Sequence, residues 1–138
     1  MKMLLDINIV LDFFLEREPF FDEIYKIFSA IENKKVIGYL CASSIDTIYY
    51  LIAKSINKRT ANEVIYKLLK IFEISEVNKN TILGALKSDF NDFEDSIIYS
   101  SAYLNGIDYI VTRDKKGFKK SKVKVLTPVE AVSKIKCL

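Results

Sequence analysis

Short, unbroken apolar runs alternate along this chain with segments of helical period. Met3-Leu4-Leu5, Val36–Cys41, Tyr109-Ile110-Val111-Thr112 and Lys124-Val125-Leu126 are the clearest runs, and Phe72–Val77 is long enough for a further short strand. A strand with one wet face alternates apolar and polar residues, whereas an unbroken run belongs to a strand covered on both faces. Between the runs, Phe20, Phe21, Ile24, Ile27, Phe28 and Ile31 recur at helical spacing, as do Ala61, Val64, Ile65, Leu68, Leu69 and Phe72. Strands that alternate with helices build a parallel sheet with helices on each face. The chain therefore reads as an α/β protein, a three-layer α/β/α sandwich around a central parallel sheet. Its 138 residues suit one domain over 1–138, and no repeat or Pro/Gly/Ser linker divides them.

Local signals place the element boundaries. A first helix over Ile7–Leu15 is interrupted at Glu16-Arg17-Glu18-Pro19, because proline disfavours helix in the residue before it. Ser43 or Ser44 is the expected N-cap of a helix through Ile56, and Thr60 that of the next. A helix over Asn80–Ser88 follows. Asp92 caps another that runs to about Asn105, where Asn105-Gly106 supplies a stop. Pro128 opens the last helix.

Histidine is absent, and that restricts the chemistry. No Ser-His-Asp or Cys-His nucleophile system, no histidine general base and no His-ligated zinc can be built. Cys41 and Cys137 are far apart with no CxxC, so neither a thiolate metal site nor a disulfide framework is expected. The amino terminus lacks the apolar stretch of a secretory signal, and no uncharged run reaches the roughly 20 residues of a membrane helix. A cytoplasmic protein with reduced cysteines is the expectation. Any catalysis must rest on carboxylates.

Charge is unevenly divided. Net charge is +3, yet residues 113–138 hold 9 basic and 2 acidic side chains, while the first 112 are acidic on balance. The basic excess is densest over Arg113–Lys122, where Arg113, Lys115, Lys116, Lys119 and Lys120 are candidate contacts to the phosphates of a nucleic acid. A solvated lysine loop is the plainer reading of the same residues.

Open parallel sheets collect ligands beyond the carboxyl ends of their strands. Asp6 ends the first strand, and Asp114 follows the Tyr109–Thr112 strand closely. Glu94 and Asp95 lie in the first turn of the helix preceding that strand. Each has a structural explanation as a cap, a turn former or a complement to the helix dipole. Gathered at one edge they would repel one another unless a hard cation neutralised them, and Mg²⁺ or Mn²⁺ prefers such oxygen ligands. A metal-bound water is a nucleophile that needs no histidine, so metal-dependent phosphodiester hydrolysis accounts for the acids and the lysines together.

These residues resemble a PIN domain, of the kind related to toxin ribonucleases of bacterial and archaeal toxin–antitoxin pairs. The likeness spans essentially the whole chain: Leu4-Leu5-Asp6-Ile7-Asn8-Ile9-Val10-Leu11-Asp12, Arg17-Glu18-Pro19-Phe20, Ala42-Ser43-Ser44, Asp92-Phe93-Glu94-Asp95 and Thr112-Arg113-Asp114. The resemblance implies an α/β/α fold and an Mg²⁺ or Mn²⁺ site at Asp6, Asp95 and Asp114. It gives Asn8 and Thr112 supporting roles beside the first and last acids, and makes Glu94 a further catalytic acid. Ser43 and Asp46 are further supporting positions. The acid usual early in the helix after the second strand aligns near Thr47, with Asp46 the nearest carboxylate, and one residue of register turns a helical side chain by about 100°. An antitoxin partner and a homodimer are implied as well, with Phe13-Phe14, Phe20-Phe21 and Tyr49-Tyr50 as either interface or core.

Two other readings compete. Haloacid-dehalogenase-like phosphatases also carry an Asp after the first strand, but their acid–base aspartate two residues on is Asn8 here, and an amide cannot shuttle a proton. A PIN-like module that binds RNA or protein without cleavage fits the same fold.

Overall fold

In the computed structural model, which describes all of residues 1–138, five parallel strands form one sheet. They are β1 (Lys2–Leu5), β2 (Ile37–Cys41), β3 (Glu73–Ser75), β4 (Tyr109–Val111) and β5 (Lys124–Leu126), in the spatial order β3-β2-β1-β4-β5. Met3, Leu4 and Leu5 are all buried, and successive strand residues point to opposite faces, so both faces of β1 are covered. Helices supply that cover, as the unbroken apolar runs required. They are α1 (Ile7–Phe14), α2 (Phe21–Glu32), α3 (Ile45–Ser55), α4 (Lys58–Ile71), α5 (Lys79–Lys87), α6 (Phe93–Leu104) and α7 (Pro128–Lys136). α2 packs against α7 and α1, α3 against α4, and α5 against α6. A connected cluster of 34 buried apolar residues joins the layers.

Capping corrects some of the expected starts. Asn57, not Thr60, caps α4: its side chain accepts the Thr60 N–H at 2.7 Å, placing Thr60 inside the first turn. Neither Ser43 nor Ser44 makes a side-chain cap, because a 3₁₀ turn over Ala42–Ser44 leads directly into α3. The other caps stand. Asp92 caps α6, Thr127 and Glu130 close a capping box around Pro128, and Gly106 adopts φ +68° just past α6.

Of the paired aromatics, Phe13, Phe14, Phe20 and Tyr49 are half-buried and pack against the core. Phe13 stacks on Phe28 with centroids 3.9 Å apart, Phe14 meets both edge-on, and Tyr50 alone among the named pairs is largely exposed. No helix is long and apolar enough to cross a membrane, and Cys41 and Cys137 are both free thiols.

The strand order turns at β1, which pairs with β2 on one side and β4 on the other. Leu5 lies opposite Val111, and the Asp6 N–H donates to the Val111 carbonyl at 3.0 Å. The residues just past these two strands therefore share the crevice at the switch of strand order.

Candidate active site

Asp6 sits at this crevice as the N-cap of α1. Its Oδ1 accepts the Ile7 N–H at 2.8 Å, and its Oδ2 accepts the Thr112 hydroxyl at 2.8 Å. It is almost fully buried, and that desolvation pushes its carboxyl above the usual range despite both hydrogen bonds. Thr112 thus stands beside the first acid. Asn8 does not: it is exposed on the first turn of α1 and makes no hydrogen bond to Asp6. The Ile7 N–H and the Thr112 hydroxyl orient Asp6 instead.

Asp95 arrives from the first turn of α6. Asp92 accepts the Asp95 N–H at 3.0 Å, but no reciprocal bond closes a box, so the Asp95 carboxylate is free to face the crevice. Its carboxyl is pushed up to about 7, first by burial and then by Asp6, Asp92, Asp114 and Glu94. Asp114 follows β4 and caps a 3₁₀ turn over Lys115–Phe118, accepting the Gly117 N–H at 3.3 Å. Its own N–H donates to the Thr112 hydroxyl oxygen at 3.0 Å.

Gly117 shows where the carboxylates meet. A β-carbon there would stand 3.0 Å from Asp114 Oδ2 and 3.1 Å from Asp95 Oδ2. The glycine leaves space at the point the two oxygens share. Nothing in the periodicity singled this residue out, although a glycine inside a lysine run is a signal of close approach.

Glu94 is raised by burial first and then by neighbouring carboxylates, Asp92 foremost, and it accepts the Thr47 hydroxyl at 3.4 Å. Thr47 is therefore the α3 residue hydrogen-bonded to the acids, while the Asp46 charge is near enough to add to the rise in Glu94. The Asp46 carboxylate accepts its neighbour's N–H at 3.1 Å and lines a groove between α3 and α4 with Tyr49, Ile65 and Tyr66. Ser43 is turned to its own loop, with its hydroxyl 3.2 Å from the Cys41 sulfur.

The basic residues divide into two groups. Lys116, Lys119 and Lys120 line a cleft of about 180 Å³ together with Asp92, Asp95, Asp114 and Gly117. Lys115 pairs with Glu130 at 3.0 Å, and Lys120 pairs with Asp89, whose carboxyl it draws below the usual range. Lys116 and Lys119 have no carboxylate partner. Arg113 is half-buried and turned to α1: its Nε lies 2.6 Å from Oδ2 of the wholly buried Asp12, and its guanidinium covers the Phe20 ring at 4.2 Å. Phe118 is the anchor of the loop, buried and edge-on to Phe90.

Every donor facing the crevice is an oxygen, and like charge already raises Asp95, so a hard divalent cation suits it. No three acids form a closed ligand set; Asp95 and Asp114 converge, and Asp6 is held by its own hydrogen bonds. Two carboxylates are enough for an ion of the magnesium type, which keeps several waters.

Comparison with known proteins bears on the fold and the family. Ribonuclease VapC1 of Aquifex aeolicus is 29% identical over 134 residues, which cover 94% of this chain and 92% of that protein. The structure of VapBC2 from Rickettsia felis bound to a DNA fragment from their promoter superposes with a TM-score of 0.75 at 16% identity, covering 92% of this chain and 98% of that one. A toxin–antitoxin complex from Klebsiella pneumoniae gives 0.69 at 19% identity, covering 91% and 97%. The PIN domain family profile matches residues 2–116, a stretch that contains Asp6, Asp95 and Asp114. With the parallel sheet and the acids at its switch point, that match places the chain in the PIN domain family.

Proposed function

We propose that this protein is a metal-dependent endoribonuclease, the toxin of a toxin–antitoxin pair. The observation that carries the reading is the convergence of Asp95 and Asp114 over Gly117, beside Asp6 and next to two unpaired lysines. The whole-length likeness to a protein named as a ribonuclease supports it. Asp95 and Asp114 would hold Mg²⁺ or Mn²⁺, with Asp6 behind them and Glu94 as a further acid. When bound, the cation supplies a nucleophilic water and offsets charge developing on the phosphodiester. Lys116 and Lys119 hold the RNA backbone across the cleft, with Lys115 and Lys120 reaching it once released from Glu130 and Asp89. Arg113 drops out of this set because its guanidinium is turned to Asp12 and the Phe20 ring.

Partners follow from the same reading. The likeness to a toxin–antitoxin complex supports an antitoxin partner, and we extend the reading to a homodimer. A monomeric mass at micromolar concentration would count against the dimer.

A panel of structured RNAs incubated with Mg²⁺ or Mn²⁺ tests the activity. Cleavage by wild type, with at least a hundredfold loss in Asp6→Asn and Asp95→Asn, is the expected result. Equal background in all three proteins overturns the nuclease and leaves a binding module.

A further inference from the structure

Asp12 has no place in the acidic site, yet it is a carboxyl side chain with no exposure at all, in the second turn of α1. A buried carboxylate is tolerated only with close cationic partners, and Asp12 has two. Arg113 meets it with one hydrogen bond, Nη2 donating to Oδ1 at 3.3 Å, and with Nε 2.6 Å from Oδ2 as a charge contact that lacks hydrogen-bond geometry. Arg17 approaches Oδ1 at 3.5 Å, and its N–H donates to the Asp12 carbonyl at 3.0 Å. Phe20, whose N–H donates to the Arg17 carbonyl, closes the arrangement under the guanidinium.

Arg113 stands between two residues of the site. Thr112 donates to Asp6 and Asp114 donates to Thr112, while Arg113 reaches Asp12. Extended backbone sends alternate side chains to opposite sides, which permits this split over three residues. Asp6 and Asp12 both belong to the α1 segment, about 9 Å apart along the helix axis at 1.5 Å per residue. The Thr112–Asp114 tripeptide is thus fastened to α1 at two separate points.

We propose that the buried Asp12–Arg113 pair positions the acidic site, by fixing the Thr112–Asp114 segment against α1 so that Asp114 faces Asp95. Both are positioning residues; neither touches substrate or metal. An ion pair with a wholly buried carboxylate constrains both chains while contributing little net stability against an apolar pair of similar volume. Its worth therefore lies in where it holds Asp114. The inference rests on the nuclease reading only for its kinetic consequence.

The double variant Asp12→Leu/Arg113→Met tests it, because apolar replacement preserves folding while removing the ion pair. Amide hydrogen exchange, Mn²⁺ titration of the metal-free chain and cleavage kinetics are measured beside wild type. Expected are an unchanged melting midpoint, unchanged exchange at Leu4 and Ile110, and at least tenfold faster exchange at Asp114 and Gly117. Mn²⁺ affinity falls about tenfold, and kcat falls with KM unchanged. Wild-type exchange at Asp114 and Gly117 in the folded variant overturns the proposal. Should the double variant not fold, Asp12→Asn is read by the same exchange comparison, with the same outcomes deciding. A wild type that neither binds Mn²⁺ nor cleaves RNA fails the nuclease reading alone, since exchange still reports the position of Asp114.

Discussion

Asp95 concentrates the electrostatic tension of the crevice, and its protonation has a predictable sign. Its carboxyl titrates near 7 in the native chain against an ordinary value of 3.8, because it is desolvated among Asp6, Asp92, Asp114 and Glu94. Between those values the native state binds a proton that the unfolded state does not, so stability falls as pH rises through the window. The contribution is complete below the unfolded value and gone above about 7. In a chelating buffer, wild type should melt several degrees lower at about pH 8 than at about pH 5. Asp95→Asn should lose most of that difference, as differential scanning calorimetry would show. Mn²⁺ should reverse the effect in wild type, stabilising by about 2.7 kcal/mol at a hundred times its Kd. Gly117 gives a steric counterpart: Gly117→Ala places a methyl about 3 Å from two carboxylate oxygens. Cleavage should drop at least tenfold with little change in melting midpoint. A variant cleaving at the wild-type rate would show that the point shared by Asp95 and Asp114 is not where the reaction occurs.

Elements deliver these residues through local rules and long-range packing in different proportions. The start of α6 is local: Asp92 caps the Asp95 N–H, which puts Glu94 and Asp95 in the first turn, and that pattern was readable in Asp92-Phe93-Glu94-Asp95. The start of α4 is local too, but Thr60 was the wrong hydroxyl. Asn57 lies three residues earlier and makes the bond with its amide oxygen. Asn57→Ala should cost about 1 kcal/mol, measurable in urea melts, whereas Thr60→Ala should cost less. The lysine loop is held by packing. Phe118, buried against Phe90, keeps the 3₁₀ turn and its Asp114 cap at the crevice. Phe118→Ala should destabilise by about 3–5 kcal/mol and weaken RNA binding with it. Loss of RNA binding at unchanged stability would place Phe118 in the RNA contact instead.

At the scale of the molecule, an acidic body carries a basic carboxyl-terminal stretch, and both meet at one cleft. Binding of single-stranded RNA should weaken with salt, each lysine–phosphate contact contributing about 0.7 to the logarithmic slope. Lys116→Ala and Lys119→Ala should each reduce that slope by about this amount, whereas Arg113→Ala should leave it unchanged. Equal reductions from all three would return Arg113 to the RNA surface.

Alternating apolar runs and helical periods, with acids at the strand ends, were enough to determine a parallel α/β sheet and the edge at which Asp6 and Asp114 lie. Burial and capping are properties of short segments, and the chain displays them in its own order. Which charges are free was decided only by tertiary structure. Arg113 reads as one of a basic run until Asp12, 101 positions away, claims it, and the α3 position aligned near Thr47 is met by a hydroxyl bonded to Glu94, with the Asp46 charge close by. Charge is a property of a residue, but its availability depends on what the fold brings within a few ångströms.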